Sequence, residues 1–253
     1  MMKENSSVEV LCLAAKITLE NGGETYRAEE TVRHISRALG CLKTEVLAFP
    51  TGVTLTLITE TGETVTRIVR VMRRETNLAR IDRCNTISRR VSAGELSGDQ
   101  ALLELKKIES ESGYGTKLLL PAFAFSAVFF TLMLQGGIRE AVFSLLCGVF
   151  AFFIKTGTER KGFPSVFTCL ITSFVITEIA LLGRVFFPEL LIETIISGAL
   201  MPLLPGLALT NAIRDTIRGD LVSGSARFTE AILCALTLGA GVAITLFLLG
   251  GQG

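Results

Sequence analysis

The chain has 253 residues, 49% of which are hydrophobic, with a mean hydropathy of +0.52 and a formal net charge of +1. This composition excludes an ordinary soluble protein of this length. Most charged residues lie within residues 1–112, whereas from Lys117 onward charges occur only in short clusters. We therefore predict an α-helical membrane protein in which a small α+β cytoplasmic domain, residues 1–113, precedes a transmembrane domain, residues 114–253.

Two helices open the predicted cytoplasmic domain. The first stops at the Asn21-Gly22-Gly23 turn and has apolar residues at intervals of three and four, namely Val8, Leu11, Cys12, Ala15 and Leu19. Glu9 and Lys16 interrupt this stretch, so it does not fit a signal peptide, and we expect the domain to start in the cytoplasm. A second helix is predicted at about residues 25–39.

A small sheet and two further helices follow. Valine and leucine alternate with threonine over residues 53–57, and residues 65–71 form a second run after Thr61-Gly62, which together predict a β-hairpin. Helical periodicity returns over residues 78–91. Ser97 opens a predicted capping box and a last helix through residue 108.

Arginine is concentrated between residues 67 and 90, against Glu75 and Asp82. This run has three interpretations: a nucleic-acid surface, a solvated basic face near an anionic leaflet, or a surface that concentrates an anionic solute. It lacks interleaved aromatic residues for base stacking, so we expect no nucleic-acid partner. The run consists of Arg67, Arg70, Arg73, Arg74, Arg80, Arg83, Arg89 and Arg90. The single histidine, His34, is predicted to lie on the surface.

Six cysteines are scattered along the chain without a CxxC pair or a histidine at ligand spacing. The sequence therefore supports neither a zinc site nor a disulfide framework, and we predict no metal and no cofactor.

Five apolar stretches follow residue 117, and each approaches the ~20 residues that a helix needs to cross a bilayer. They cover residues 118–135, 141–154, 166–187, 194–213 and 231–249. The loops between them alternate between one basic residue and three, in the order Arg139; Lys155, Arg160, Lys161; Arg184; Arg214, Arg218, Arg227. By the positive-inside rule we expect a multi-pass protein of the bacterial inner membrane with its N-terminus in the cytoplasm and its C-terminus outside.

The fourth apolar stretch is interrupted near its middle. Pro202 and Pro205 each remove an amide donor, and Gly206 adds backbone freedom. A broken helix at membrane depth is tolerated where protein or an aqueous cavity satisfies its carbonyls, and such breaks mark solute sites in several transporter folds. The alternative is a structural kink that packs against neighbouring helices.

Polar residues near this break are further candidates for a transport path. Asn211 and Asp215 lie four residues apart on one face, with Arg214 beside them, and this face is predicted to form an inner vestibule. Glu178 is an ionisable residue within the third apolar stretch, and intramembrane carboxylates are functional candidates. The alternative for Glu178 is a simple contact with Arg184.

Small residues recur every four positions along the last apolar stretch, at Ala231, Ala235, Gly239 and Ala243. Such a ladder lets another helix approach closely. It serves either packing within the chain or contact with a partner.

Two stretches make the sequence resemble the threonine/serine exporter family, in its short two-subunit form. The first is Gly22-Gly23-Glu24-Thr25-Tyr26-Arg27-Ala28-Glu29-Glu30 with Leu39-Gly40; the second runs from Pro202-Leu203-Leu204-Pro205-Gly206 through Asn211-Ala212-Ile213-Arg214-Asp215, Gly219-Asp220-Leu221, Ser223-Gly224 and Ala226-Arg227. The resemblance marks Gly23, Thr25, Arg27 and Glu29 as motif residues of the cytoplasmic domain. It implies export of small polar metabolites, such as threonine, serine or succinate, with a second small membrane subunit that completes the transporter.

Two other functions are compatible with this layout. A non-transporting assembly or sensor subunit would also need packing faces and a cytoplasmic domain. A membrane-bound hydrolase is disfavoured because the chain lacks HExxH and GxSxG motifs. The absence of a GxxxxGK[ST] motif leaves ion coupling as the energy source, and we expect Glu178 or Asp215 to carry a proton.

Overall fold

The computed structural model describes residues 2–59, 62–72 and 74–249, with side chains from Ser6 onward. The predictions that involve Thr61 and Arg73 fall outside these residues. By contacts the chain forms two compact units. The N-terminal unit comprises Met1–Gly113 and Leu207–Phe228, and the apolar unit comprises Tyr114–Gly206 and Thr229–Gly253. The structure thus groups a late segment of the chain with the residues expected to form the cytoplasmic domain.

Among the described residues before 113, the N-terminal unit contains four helices and a three-stranded sheet. In chain order these are α1 (Met2–Glu20), α2 (Thr25–Ala38), β1 (Lys43–Phe49), β2 (Gly52–Ile58), β3 (Thr64–Arg70), α3 (Leu78–Ser92) and α4 (Gly98–Ser110). The predicted capping box is present, because Ser97 and Gln100 bond to each other's backbone amides at the start of α4.

The sheet is an antiparallel meander in the order β1-β2-β3. The expected hairpin corresponds to β2 and β3, whereas strand β1 was not predicted. Its alternation is easily missed, because Lys43 and Glu45 are exposed and only Val46 and Ala48 face the core. A two-residue connection between Phe49 and Gly52 then sets the register of β1 on β2.

Helix α1 is more deeply buried than its predicted stripe indicates. Beside the expected inward residues, Val10, Ala14 and Ile17 are also buried, and Cys12 is only half-buried. The reason is that α1 packs against helices α2, α3 and α4 and against the sheet, so most of its circumference faces protein.

The apolar unit is built from long hydrophobic helices. They are α5 (Thr116–Met133), α6 (Ile138–Arg160), α7 (Ser165–Phe186), α8 (Ile192–Leu200) and the later part of α10 (Leu221–Leu249). Within the described residues, four helices are long and apolar enough to cross a membrane, and a fifth crossing results if the bent pair formed by α8 and α9 (Gly206–Ile217) counts as one span. Large apolar side chains such as Phe129 and Phe247 are exposed, as expected for surfaces that contact lipid.

The predicted break in the fourth apolar stretch is present. After α8 the chain makes a 3₁₀ turn over Met201–Leu203, Leu204 is extended, and α9 begins at Gly206. The prolines explain the break, because neither Pro202 nor Pro205 has an amide to continue the helical hydrogen bonds.

Candidate functional site

The two motif stretches meet inside the N-terminal unit. The turn between α1 and α2 lies against α9 and the first turns of α10, although the two parts are about 190 positions apart in sequence. We call this contact the motif junction, and its members are Gly22, Gly23, Glu24, Thr25, Asn211, Arg214, Asp215, Asp220 and Arg227.

The turn depends on the absence of a side chain at Gly23. The Gly23 amide donates to the Thr18 carbonyl at 2.8 Å, and a Cβ placed on Gly23 would lie 2.6 Å from Cγ2 of Thr18 and 2.7 Å from that same carbonyl oxygen. Any larger residue must therefore move the end of α1. This close turn presents two backbone carbonyls to the second stretch: Gly22 accepts from Nδ2 of Asn211 at 2.8 Å, and Gly23 accepts from Nη2 of Arg227 at 2.8 Å.

Glu24, the last residue of the turn, forms ion pairs with two arginines. Its side chain is only 8% exposed, and it is bound by two guanidinium groups, Nη1 of Arg214 at 2.6 Å and Nε of Arg27 at 3.2 Å. Burial by itself raises the pKa of Glu24, but backbone hydrogen bonding, the hydrogen bond from Arg214 and the charges of both arginines outweigh burial and leave the pKa below its ordinary value of 4.5. Glu24 is therefore ionised at neutral pH.

A second ion pair lies deeper in the motif junction. Oδ2 of Asp215 is 3.2 Å from Nε of Arg227, and the two side chains are 0% and 8% exposed. Within the described part of the chain, neither carboxylate oxygen of Asp215 accepts a hydrogen bond of good geometry. Arg227 compensates the charge of this carboxylate, and Thr25 stabilises the charged form as well. Removal of one partner of such a buried ion pair is strongly destabilising.

Asp220 connects α2 to the start of α10. Its Oδ2 accepts from Oγ1 of Thr25 at 2.9 Å, and its Oδ1 accepts from the Ser223 amide at 3.1 Å, which caps α10. Helices α9 and α10 then pack so closely that a Cβ on Gly224 would lie 3.0 Å from the Ala212 carbonyl oxygen. Both α9 and α10 are thereby fixed to the beginning of α2.

The structure brings most of the predicted site residues together. Gly23, Thr25, Asn211 and Asp215 all lie in the motif junction, and Arg27 joins Arg214 on Glu24. Asn211 and Asp215 do share one face, as predicted. The turn between α1 and α2 packs against that face, and the side chains of Asn211 and Asp215 are buried. In this structure the face is not an open vestibule.

Glu29, although part of the first motif, contacts the sheet. Its Oε1 accepts from the Ala48 amide at 3.0 Å, and its Oε2 accepts from Nη2 of Arg33 at 2.8 Å. Glu29 therefore attaches α2 to β1 rather than contributing to the motif junction.

The remaining candidates lie outside the motif junction. Pro202, Pro205 and Gly206 form the break that precedes α9. Glu178 is half-buried on α7 and makes neither a hydrogen bond nor an ion pair with any described residue, so its suggested contact with Arg184 is not formed.

Sequence reasoning did not single out Glu24, Asp220 and Arg227, although all three lie in the quoted motifs. The available signal was charge complementarity, because the first motif carries an acidic residue beside its glycines and the second carries arginines. The chemical groups of the motif junction are carboxylates, guanidinium groups, an amide and a hydroxyl. Paired as they are, these groups hold chain segments together.

Comparison with known proteins places this geometry in context. A family model described as "Putative threonine/serine exporter" matches residues 9–249. A threonine/serine exporter of Corynebacterium glutamicum is 29% identical over 93% of this chain, and this chain spans 50% of that protein. A probable succinate transporter subunit YjjP of Klebsiella aerogenes is 27% identical over 99% of this chain and 97% of its own length. No solved structure matches the chain.

Proposed function

We propose that this chain, which belongs to the threonine/serine exporter family, is one subunit of a secondary transporter that exports small polar metabolites together with a second small membrane subunit. The family consists of exporters, so the chain is not an enzyme, which removes the hydrolase alternative. The main support for a two-subunit transporter is the length of the chain relative to its relatives. The chain spans half of a Corynebacterium exporter but nearly all of a protein named as a transporter subunit.

The names of the two relatives are the basis for the substrate class that we propose. One relative is named for threonine and serine and the other for succinate. Flux of these three solutes from reconstituted vesicles, with and without the second subunit, tests the proposal directly. Export of at least one solute by the two subunits together supports the transporter. If none of these three solutes crosses with both subunits present, the result favours a non-transporting assembly or sensor subunit.

We propose that the break at Met201–Gly206 lies on the transport path. Its support is the loss of two amide donors at Pro202 and Pro205 within an otherwise apolar span, an arrangement that transporters use at solute sites. A Pro205→Ala variant should lower the flux at saturating solute. Pro121→Ala is a matched control, because Pro121 lies within the unbroken helix α5. Equal flux from wild type and Pro205→Ala would favour a simple structural kink.

Glu178 and Asp215 remain the proposed proton carriers. Glu178 supports the idea because it is a half-buried carboxylate without a charged partner among the described residues, and Asp215 because it is fully buried. The pH dependence of flux should flatten in Glu178→Gln, in Asp215→Asn or in both. Glu189→Gln is the control, since that side chain is exposed. Unchanged pH profiles in both test variants would refute proton coupling through these residues.

The small-residue ladder on α10 is the proposed contact with the second subunit. Ala231 is buried within the chain, whereas Ala235, Gly239 and Ala243 are exposed, and a Cβ on Gly239 would meet no described atom within 4 Å. Gly239→Leu should therefore weaken co-purification with the second subunit in mild detergent. Ala240→Leu, at an exposed position beside the ladder, is the control. Full export by this chain alone, in cells without any candidate second subunit, would refute the two-subunit proposal.

We further propose the inner membrane as its location, with the N-terminal unit in the cytoplasm and the C-terminus outside. The alternation of basic loops described above supports this orientation.

A further inference from the structure

Arg80, which belongs to neither family motif, binds the first residue of the same turn. This side chain is only 13% exposed on α3. Its Nη1 donates to Oδ1 of Asn21 at 3.3 Å and to Oε1 of Glu75 at 2.6 Å, and its Nη2 donates to the backbone carbonyl of Glu111. One guanidinium group therefore joins the start of the turn to the end of α4.

Backbone hydrogen bonds reinforce this arrangement. The Glu75 amide donates to the Glu20 carbonyl at 2.8 Å, and the Asn77 amide donates to the Asn21 carbonyl at 3.1 Å. Asn77 also caps α3 by accepting from the Arg80 amide. The segment before α3 is thus bound along the end of α1, which places the Arg80 side chain at Asn21.

The chain passes between the two units at three places, after residues 113, 206 and 228. Glu111 lies two residues before the first passage, Arg227 one residue before the third, and Asn211 five residues after the second. Each of these three residues is bound to the Asn21–Glu24 turn or to the arginine that holds it. The turn is therefore the common attachment of all three connections within the N-terminal unit.

We infer that the Asn21–Glu24 turn couples these three connections and that Arg80 is a positioning residue for export. This inference rests on the proposed transport function. Conformational change during transport has to pass through chain segments that lead into the membrane helices, and segments fixed to one four-residue turn respond to each other. Arg80 acts through the turn and contacts no transported solute.

Hydrogen exchange in detergent tests the coupling without any transport assay. In Arg80→Gln, backbone amides of residues 207–227 should exchange several-fold faster than in wild type, although Arg80 touches none of them. Arg83→Gln is the matched control, because Arg83 binds the Glu111 carboxylate, whereas Arg80 binds Asn21 and the Glu111 carbonyl. If faster exchange is confined to α3 and the Glu111 region in Arg80→Gln, the inference is wrong.

A double-variant cycle in flux gives the second test. Arg80→Gln and Asn211→Ala act on different residues of the turn, Asn21 and Gly22. Independent effects of the two changes on maximal flux would multiply. Coupling through the turn predicts that the double variant loses clearly less than that product, while the half-saturating solute concentration stays unchanged. Multiplied losses, or a change confined to the half-saturating concentration, would overturn the inference.

Two controls distinguish failure of this inference from a folding defect and from failure of the transport proposal. If Arg80→Gln does not fold, Arg80→Lys replaces it, because lysine keeps the charge but cannot bridge three acceptors in a fixed planar geometry. If wild-type vesicles show no flux with the second subunit present, the transport proposal fails, and the exchange experiment still decides whether the turn couples the segments.

Discussion

Replacing Asp215 by asparagine would remove the carboxylate that is paired with the buried guanidinium group of Arg227. Asp215 is 0% exposed, and its carboxylate lies 3.2 Å from Nε of Arg227. Breaking a buried pair in this way costs about 3–5 kcal/mol. We expect a cost of about 3 kcal/mol, the lower end of that range, because Arg227 keeps its hydrogen bond to the Gly23 carbonyl. Arg227→Leu should cost more, since it strands the Asp215 carboxylate.

Replacing both charges tests the explanation against a simple packing defect. Asp215→Leu with Arg227→Met removes both members of the pair together, and exchange of a buried ion pair for apolar residues is often close to neutral. The double variant should therefore be more stable than either Asp215→Asn or Arg227→Leu. A double variant as unstable as the sum of these single changes would refute the charge argument.

Buried cysteines provide the assay, because the chain has no tryptophan. Cys84 is fully buried in the N-terminal unit and Cys147 in the apolar unit, so single-cysteine chains report the two units separately through a thiol-reactive dye. A loss of about 3 kcal/mol corresponds to a melting shift of roughly 6–12 °C in a domain of 150–250 residues. Asp215→Asn should lower the labelling temperature of Cys84 by that order, whereas Asp82→Asn, an exposed change on α3, should not. An unchanged temperature for Cys84 would contradict the structure.

Three further predictions concern the turn between α1 and α2 and the orientation of the chain in the membrane. Gly23→Ala should lower the Cys84 labelling temperature because a Cβ there overlaps the end of α1, whereas Gly113→Ala, with open space around it, should be neutral. Glu24→Gln should be destabilising near neutral pH, and the difference from wild type should vanish in acid, because a carboxylate with a lowered folded pKa stabilises above its unfolded pKa and loses this effect as the pH falls through the folded pKa. A difference that persists at a pH well below the folded-state pKa of Glu24 would contradict this account. Reporter fusions after Gly136 and after Gly253 should both report the outer side, and a cytoplasmic signal from the second would mean a miscounted span.

Features that depend on neighbouring residues could be predicted well from the sequence. The spans follow from runs of apolar side chains, and the break near Pro202 follows from the covalent absence of an amide donor. The capping box at Ser97 is equally local, because both of its partners lie within three residues. Strand β1 was not predicted, because its alternation of exposed and buried residues is short and its outward residues are charged. Its buried side is defined only by packing in the folded protein.

The motif junction was decided by tertiary structure. Sequence reasoning placed Asn211 and Asp215 on one helical face and predicted an inner vestibule there, but the fold packs the turn between α1 and α2 against that face. It grouped Glu29 with the motif, yet the position of β1 turns that carboxylate toward the Ala48 amide. Periodicity fixes which side of a helix a residue occupies, whereas the partner of that side depends on packing between segments about 190 residues apart, which no local pattern encodes.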